Sequence, residues 1–196
     1  MKIGILGGTF DPPHLGHLKL AEAAIDALEL DEVILLPANS NPFKKEKRTS
    51  EPKFRVAMTQ LLQKRNPKFS FSDMEITRGG VSYTVDTLGE LQMVHPGDYW
   101  FIMGADAVRG FADWRNPQRI MRLCRLAVAI RPPMNKDDLE RQIPDEFRDK
   151  VDIIEMAASN ESSTEIRERV RKGQTIQNLT TSEISTYIRN NKLYKI

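Results

Sequence analysis

Two of the chain's three histidines, His14 and His17, stand three residues apart in Gly-Gly-Thr-Phe-Asp-Pro-Pro-His-Leu-Gly-His, residues 7–17. Positions three apart are neighbours on a helix, so both rings can project from one side of its first turn. Two imidazoles placed together can donate hydrogen bonds to phosphate oxygens and stabilise the charge that builds up during phosphoryl transfer. A pair of capping or surface histidines would meet the same spacing. Gly7 and Gly8 stand where the apolar run Lys-Ile-Gly-Ile-Leu gives way to a helical pattern. Glycines at that corner let main-chain N–H groups approach a ligand, and the dipole of the following helix makes an anion the expected guest. Gly16, between the histidines, is expected to leave room for a nucleotide against the backbone. The pattern is neither Gly-x-Gly-x-x-Gly nor a P-loop, so phosphate would be bound here in another way. Zinc is the weaker reading, because only His95 and the lone Cys124 remain as soft ligands.

These residues need a frame that turns a strand sharply into a helix, and the rest of the sequence supplies one. Residues 2–6, 32–37, 98–104, 124–130 and 151–156 are short apolar runs of the kind buried on both faces of a parallel sheet. Helical periods occupy 15–28, 51–65, 84–94, 117–123 and 135–149, and the alternation over 68–75 predicts a half-buried or edge strand. Strand and helix alternate, which predicts an α/β fold: a Rossmann-like, doubly wound, mainly parallel sheet with helices on both faces. Two amphipathic helices with Ser or Thr starts follow as a C-terminal helical segment; Ser162 and Glu165 have capping-box spacing and Gly173 marks a stop. No Gly-, Pro- or Ser-rich linker interrupts the chain, so a single domain over residues 1–196 is expected.

Bulk properties narrow the functional classes. A net charge of +2 offers no support for general nucleic-acid binding. No apolar run approaches the ~20 residues that span a bilayer. One cysteine permits no internal disulfide and suits a reducing compartment, so a cytoplasmic protein without a membrane partner is expected. Homo-oligomerisation stays open.

The 7–17 stretch resembles the [ST]-x-F-D-P-x-H-x-G-H signature of the nucleotidylyltransferase superfamily. Ser-Ser-Thr-Glu-Ile-Arg at 162–167 is similar to its second motif. Four further stretches resemble the bacterial nicotinate-nucleotide adenylyltransferases within that superfamily. They are Ser-Tyr-Thr-Val-Asp-Thr-Leu (82–88), the Gly-Ala-Asp strand end with its tryptophan (101–114), Ala-Ile-Arg-Pro-Pro (129–133) and the closing Asn-Asn-Lys-Leu-Tyr. The resemblance implies transfer of the AMP part of ATP to nicotinate mononucleotide, by direct attack of the acceptor phosphate on the α-phosphorus, with Mg²⁺ accompanying ATP. It implies catalytic roles for His14, His17 and Arg167. It implies ATP contacts from Gly7, Gly8, Thr9, Phe10, Gly16, Ser162, Ser163, Thr164 and Ile166. For the acceptor it implies Trp114 stacked on the pyridine ring, Asp106 on the ribose, main-chain groups of Tyr83 and Thr84 at the ring carboxylate, and Lys44 and Arg131 as nearby cations. No protein metal ligand is implied.

The family's loop after the second strand carries Pro-His-Lys, and here Phe43 stands where the histidine belongs. A phosphate contact is then absent or supplied by a neighbouring lysine, and acceptor preference is the property most exposed to the change. The competing readings are another small nucleotidylyltransferase acting on phosphopantetheine or a cytidylyl donor, a tRNA-synthetase fragment, and a non-catalytic nucleotide-binding module.

Overall fold

The computed structural model describes residues 1–44 and 49–195. Six strands form one wholly parallel sheet: β1 (Lys2–Gly8), β2 (Glu32–Pro37), β3 (Phe69–Phe71), β4 (Asp98–Gly104), β5 (Arg125–Ile130) and β6 (Val151–Glu155). Their spatial order is 3-2-1-4-5-6. In such a sheet the connections leaving β1 and β4 diverge to opposite faces. They open a crevice at the carboxyl ends of those two strands, where ligands of doubly wound proteins bind.

Successive strand residues serve opposite faces, as the two-residue period requires. Ile34 and Leu36 of β2 join a core with Ile3 and Ile5 on one face, while Val33 and Leu35 join Leu6 on the other. The first face is covered by α4 (Thr84–Val94) through Val85, Leu88 and Leu91, and by α6 (Pro117–Leu123) through Ile120 and Met121. The second is covered by α1 (Leu15–Leu28), α2 (Pro52–Gln63), α8 (Ser163–Arg171) and α9 (Ser182–Asn190). Local signals set their starts. Pro52 and Pro117 open α2 and α6, where a missing N–H costs nothing. The Ser162 and Thr181 hydroxyls accept from the third residue of α8 and α9. The C-terminal helices therefore pack on the sheet face that bears α1.

Two expectations need correction. Residues 135–149 form α7 (Lys136–Glu140) and a separate 3₁₀ turn, Asp145–Lys150. Pro144 lies between them and can neither donate to a helix nor let its predecessor stay helical easily. The alternation over 68–75 gives only the edge strand β3 before the chain turns into α3 (Met74–Arg78), which buries Glu75. The short α5 (Ala105–Val108) directly after β4 carried no periodic signal. Among the described residues no helix is long and apolar enough to cross a membrane.

Candidate active site

The loop between β1 and α1 is gripped through its carbonyls by donors from distant parts of the chain. Arg55 of α2, 1% exposed, donates to the carbonyl oxygens of Thr9 (2.9 Å), Ala38 (2.6 Å), Asn39 (3.3 Å) and Ser50 (3.2 Å). Arg167 of α8 donates to the Asp11 carbonyl at 2.7 Å and to the Thr164 hydroxyl at 3.2 Å. The Ser163 hydroxyl donates to the Pro12 carbonyl and the Thr180 hydroxyl to the Pro13 carbonyl, each at 2.8 Å. The buried Asp11 carboxylate accepts from the Ser50 N–H (3.0 Å) and the Tyr194 hydroxyl (2.7 Å). Burial and the Asp11 charge hold the Tyr194 phenol well above its ordinary range, so it stays a donor. The loop is thus a fixed shape before any ligand arrives.

On that base sit the two histidines. His14 caps α1, and its backbone N–H donates to His17 Nδ1 at 3.2 Å. A neutral His17 ring that accepts at Nδ1 carries its proton on Nε2. The two rings lie 3.7 Å apart, and Phe10 supports His17 from below at 4.8 Å. Phe10 adopts a left-handed backbone (φ 49°), uncommon for a bulky residue, and its ring enters the core. Burial pulls the His14 imidazole down to about 4, against the Glu161 charge that raises it, so the protein's own groups hold His14 neutral at pH 7. For Glu161, burial opposes the charge, but the Lys19 ammonium at 2.6 Å and the Ser159 hydroxyl outweigh it and keep the carboxyl at about 2.

Three cavities meet at His17. The first, about 420 Å³, is lined by Gly7, Gly8, Thr9, His14 and the N-terminus of α8 with Ser162, Ser163, Thr164 and Arg167. The second, about 970 Å³, runs past His14 and Gly16 to Asp106, Arg131 and Met156. The third, about 530 Å³, is aromatic, with Phe43, Tyr83, Phe101 and Trp114 on its walls. Trp114 is held there by Phe101 edge-on at 5.5 Å and Phe111 at 5.4 Å, with Phe43 at 6.2 Å on its open side. Helix α4 starts beside it with no side-chain cap at Tyr83, which leaves first-turn N–H groups as donors.

Most of the expected site residues converge here, with three differences. Ile166 is fully buried in the core under α8, so its side chain anchors the helix and does not reach a nucleotide. A Cβ at Gly16 would lie 2.9 Å from His14 Nδ1 and 3.1 Å from Ser159 Oγ, so on the wall of the second cavity the glycine also makes room for those two side chains. Asp106 and Arg131 line the largest cavity and not the aromatic one; Arg131 also donates to the Ser159 carbonyl and lies 3.8 Å from Asp106. The expected contact from Lys44 falls on a side chain outside the described residues, as do Lys45, Lys47 and Arg48. The turn at 77–80 is tied down, because Asn39 Nδ2 donates to the Gly80 carbonyl (2.7 Å) and Arg78 bonds Glu90 and Thr87 (both 2.9 Å). Ser159 and Glu161 carry no mark in the sequence, and Arg55 only its place on the buried stripe of α2. Tyr194 stands there only as part of the closing stretch, because Arg55, Glu161 and Tyr194 each find partners far along the chain.

The strand order, the anion-facing loop and the paired imidazoles define a nucleotide-handling α/β protein. The cytidylyltransferase-like family model matches residues 5–169, and the chain belongs to that family. It is 39% identical to the probable nicotinate-nucleotide adenylyltransferase of Moorella thermoacetica, over 99% of this chain and 92% of that protein. To the protein of the same name from Desulfitobacterium hafniense it is 40% identical, over 100% and 96%. Within the family the chain therefore belongs with the nicotinate-nucleotide adenylyltransferases. The fold is shared with the Plasmodium falciparum nicotinic acid mononucleotide adenylyltransferase complexed with NaAD, at a TM-score of 0.79, 20% identity and coverage of 98% and 97%.

Proposed function

We propose that the chain joins the AMP part of ATP to nicotinate mononucleotide, releasing pyrophosphate, in one domain spanning residues 1–196. The observation that carries this is the place of His17, on the wall of all three cavities at once. The triphosphate lies in the first cavity, against Gly7, Gly8, Thr9 and the α8 N-terminus. The nucleoside end of ATP lies in the second, beside Asp106 and Arg131, and the pyridine ring lies in the third against Trp114. An oxygen of the acceptor phosphate then attacks the α-phosphorus, the bond to the bridging oxygen of the β-phosphate breaks, and that oxygen leaves with pyrophosphate. His14, His17 and Arg167 bind and neutralise the oxygens that gain charge; no covalent enzyme intermediate is involved. Catalysis rests on positioning and charge stabilisation. ATP would enter as its Mg²⁺ complex, the metal coming with the substrate to offset the triphosphate charge; the Asp11 carboxylate of the loop is engaged by Ser50 and Tyr194. A cytoplasmic location is in keeping with the single, buried cysteine, Cys124.

First-turn N–H groups of α4 are donors only, so a ring carboxylate fits them and a carboxamide NH₂ does not. Pyrophosphate release is therefore expected to be at least ~10-fold more efficient in kcat/KM with nicotinate mononucleotide than with nicotinamide mononucleotide, about 1.4 kcal/mol of discrimination. Phosphopantetheine should give no turnover. Comparable rates with both pyridine nucleotides would shift attention to Phe43, and turnover with none would favour a binding module. Trp114→Ala should raise the acceptor KM by roughly tenfold with little change in kcat, because stacking is made in ground and transition states alike. An unchanged acceptor KM would remove Trp114 from the pocket.

A further inference from the structure

Ser159 and Glu161 have no part in the roles above, yet both are packed beside His14. Ser159 is 4% exposed and the Glu161 side chain 11%. The Ser159 hydroxyl donates to Glu161, whose other oxygen faces Lys19 Nζ at 2.6 Å. The segment is pinned at its other end by the Arg131 guanidinium on the Ser159 carbonyl. His14 Nδ1 is buried with no hydrogen-bond partner among the described residues. The place of a Cβ on Gly16 lies 2.9 Å from that nitrogen and 3.1 Å from Ser159 Oγ; the two atoms flank the glycine without bonding to each other, so a turn of either side chain is what would join them. A buried carboxylate next to a polyanion site is unfavourable unless something offsets it, and a buried orphan nitrogen carries a cost of its own.

A neutral imidazole has one N–H and can serve either a phosphate or an inner acceptor; an imidazolium serves both. We infer that Ser159 and Glu161 form a relay that allows His14 to become an imidazolium when the triphosphate binds. This rests on the reading of the 420 Å³ cavity as the triphosphate site. The proton comes from solvent. Nδ1–H then turns to donate to Ser159 Oγ, the Ser159 O–H goes on donating to the Glu161 carboxylate, and Nε2–H faces phosphate. Glu161 acts here through Ser159 and His14, as a positioning residue.

The charged and titratable groups around His14 fall on three sides. His17 shares its helix, and Asp11 and Arg167 belong to the phosphate-loop side. Across the large cavity stand Asp106 and Arg131, with Arg109, Asp138 and Arg141 at its rim, and Lys19 stands behind Glu161. Among the protein's own groups burial wins over Glu161 and His14 is held at about 4. The arriving triphosphate adds negative charge with the same sign of effect as Glu161, and together they raise the affinity of His14 for a second proton.

The test is an NMR titration of labelled histidine in the wild-type protein, Glu161→Gln and Ser159→Ala, with and without a non-hydrolysable ATP analogue; no acceptor is needed. Analogue binding should raise the His14 midpoint by at least ~1 pH unit in the wild type and by less than half as much in either variant. In turnover, the alkaline limb of the kcat–pH profile should move to lower pH in both variants, because the complex loses its proton earlier. A merely structural role would lower kcat equally at every pH and leave the liganded midpoint of His14 unchanged, which overturns the relay. If the analogue disturbs neither His14 nor His17, the triphosphate reading itself fails, and that result is distinct from failure of the relay.

Discussion

His17→Ala is expected to lower kcat by about 10²–10³-fold, the loss of roughly 2.7–4 kcal/mol that follows removal of one preorganised donor from a site of developing charge. The size of the effect comes from how firmly the ring is set. Its Nδ1 is occupied by the His14 backbone N–H, which directs the Nε2 proton outward. The Phe10 ring stops it from tilting back, and the His14 ring lies alongside at 3.7 Å. A donor fixed in this way reorganises little during reaction. The loss of its capping contact should cost only about 1 kcal/mol of stability. Pyrophosphate release and a thermal melt on the same sample separate the two effects. Turnover within tenfold of wild type would show that the junction of the three cavities is not where charge develops.

Arg55→Met should act on stability. Its guanidinium serves four backbone carbonyls from three segments, and burial depresses its proton affinity while Asp11 and then Tyr194 raise it. Methionine fills much of the volume but leaves those carbonyls and the Asp11 carboxylate without their cation. Breaking such a buried arrangement from one side costs about 3–5 kcal/mol. In a chain of this size each kcal/mol moves Tm by roughly 2–4 °C, so a fall of about 6–20 °C is expected. A shift below about 3 °C would mean that water replaces the guanidinium and that the phosphate loop supports itself. Activity of the surviving folded fraction should also fall, since Thr9 would lose its brace.

How much of this could be read in the sequence depends on the range of the interactions. Strands such as Glu32–Pro37 and Asp98–Gly104 announce themselves because burial on both faces demands a continuous apolar run. Helix α1 begins at its expected residue because the strand, the glycine corner and the helical period are all local. The imidazole pair follows from spacing alone. What could not be read is which residues from elsewhere meet that pair. Asp106 and Trp114 are eight positions apart, yet the chain turns between them and places them on different cavities. Nothing near Arg55 in sequence marks it as the support of Thr9, 46 positions earlier. Ile166 looked like a ligand contact because it sits inside a motif, when the helical period already assigned it to the core. Within 135–149 the break is itself local: Pro144 cannot donate to a helix, so the chain leaves α7 and turns again as a 3₁₀ segment.

The contact between Tyr194 and Asp11 joins residues 183 positions apart. Ser163, Arg167 and Thr180 likewise reach back to Asp11, Pro12 and Pro13 from the far end of the chain. During synthesis, the sheet that forms the crevice is finished at residue 155, well before any of these groups emerges. All six strands are thus synthesised while the nucleotide loop is still unbraced. The brace of the pocket is therefore completed after its sheet, and loss of residues beyond β6 strips both the grip on the loop and the cover of one sheet face, Ile166, Ile184 and Ile188 among it.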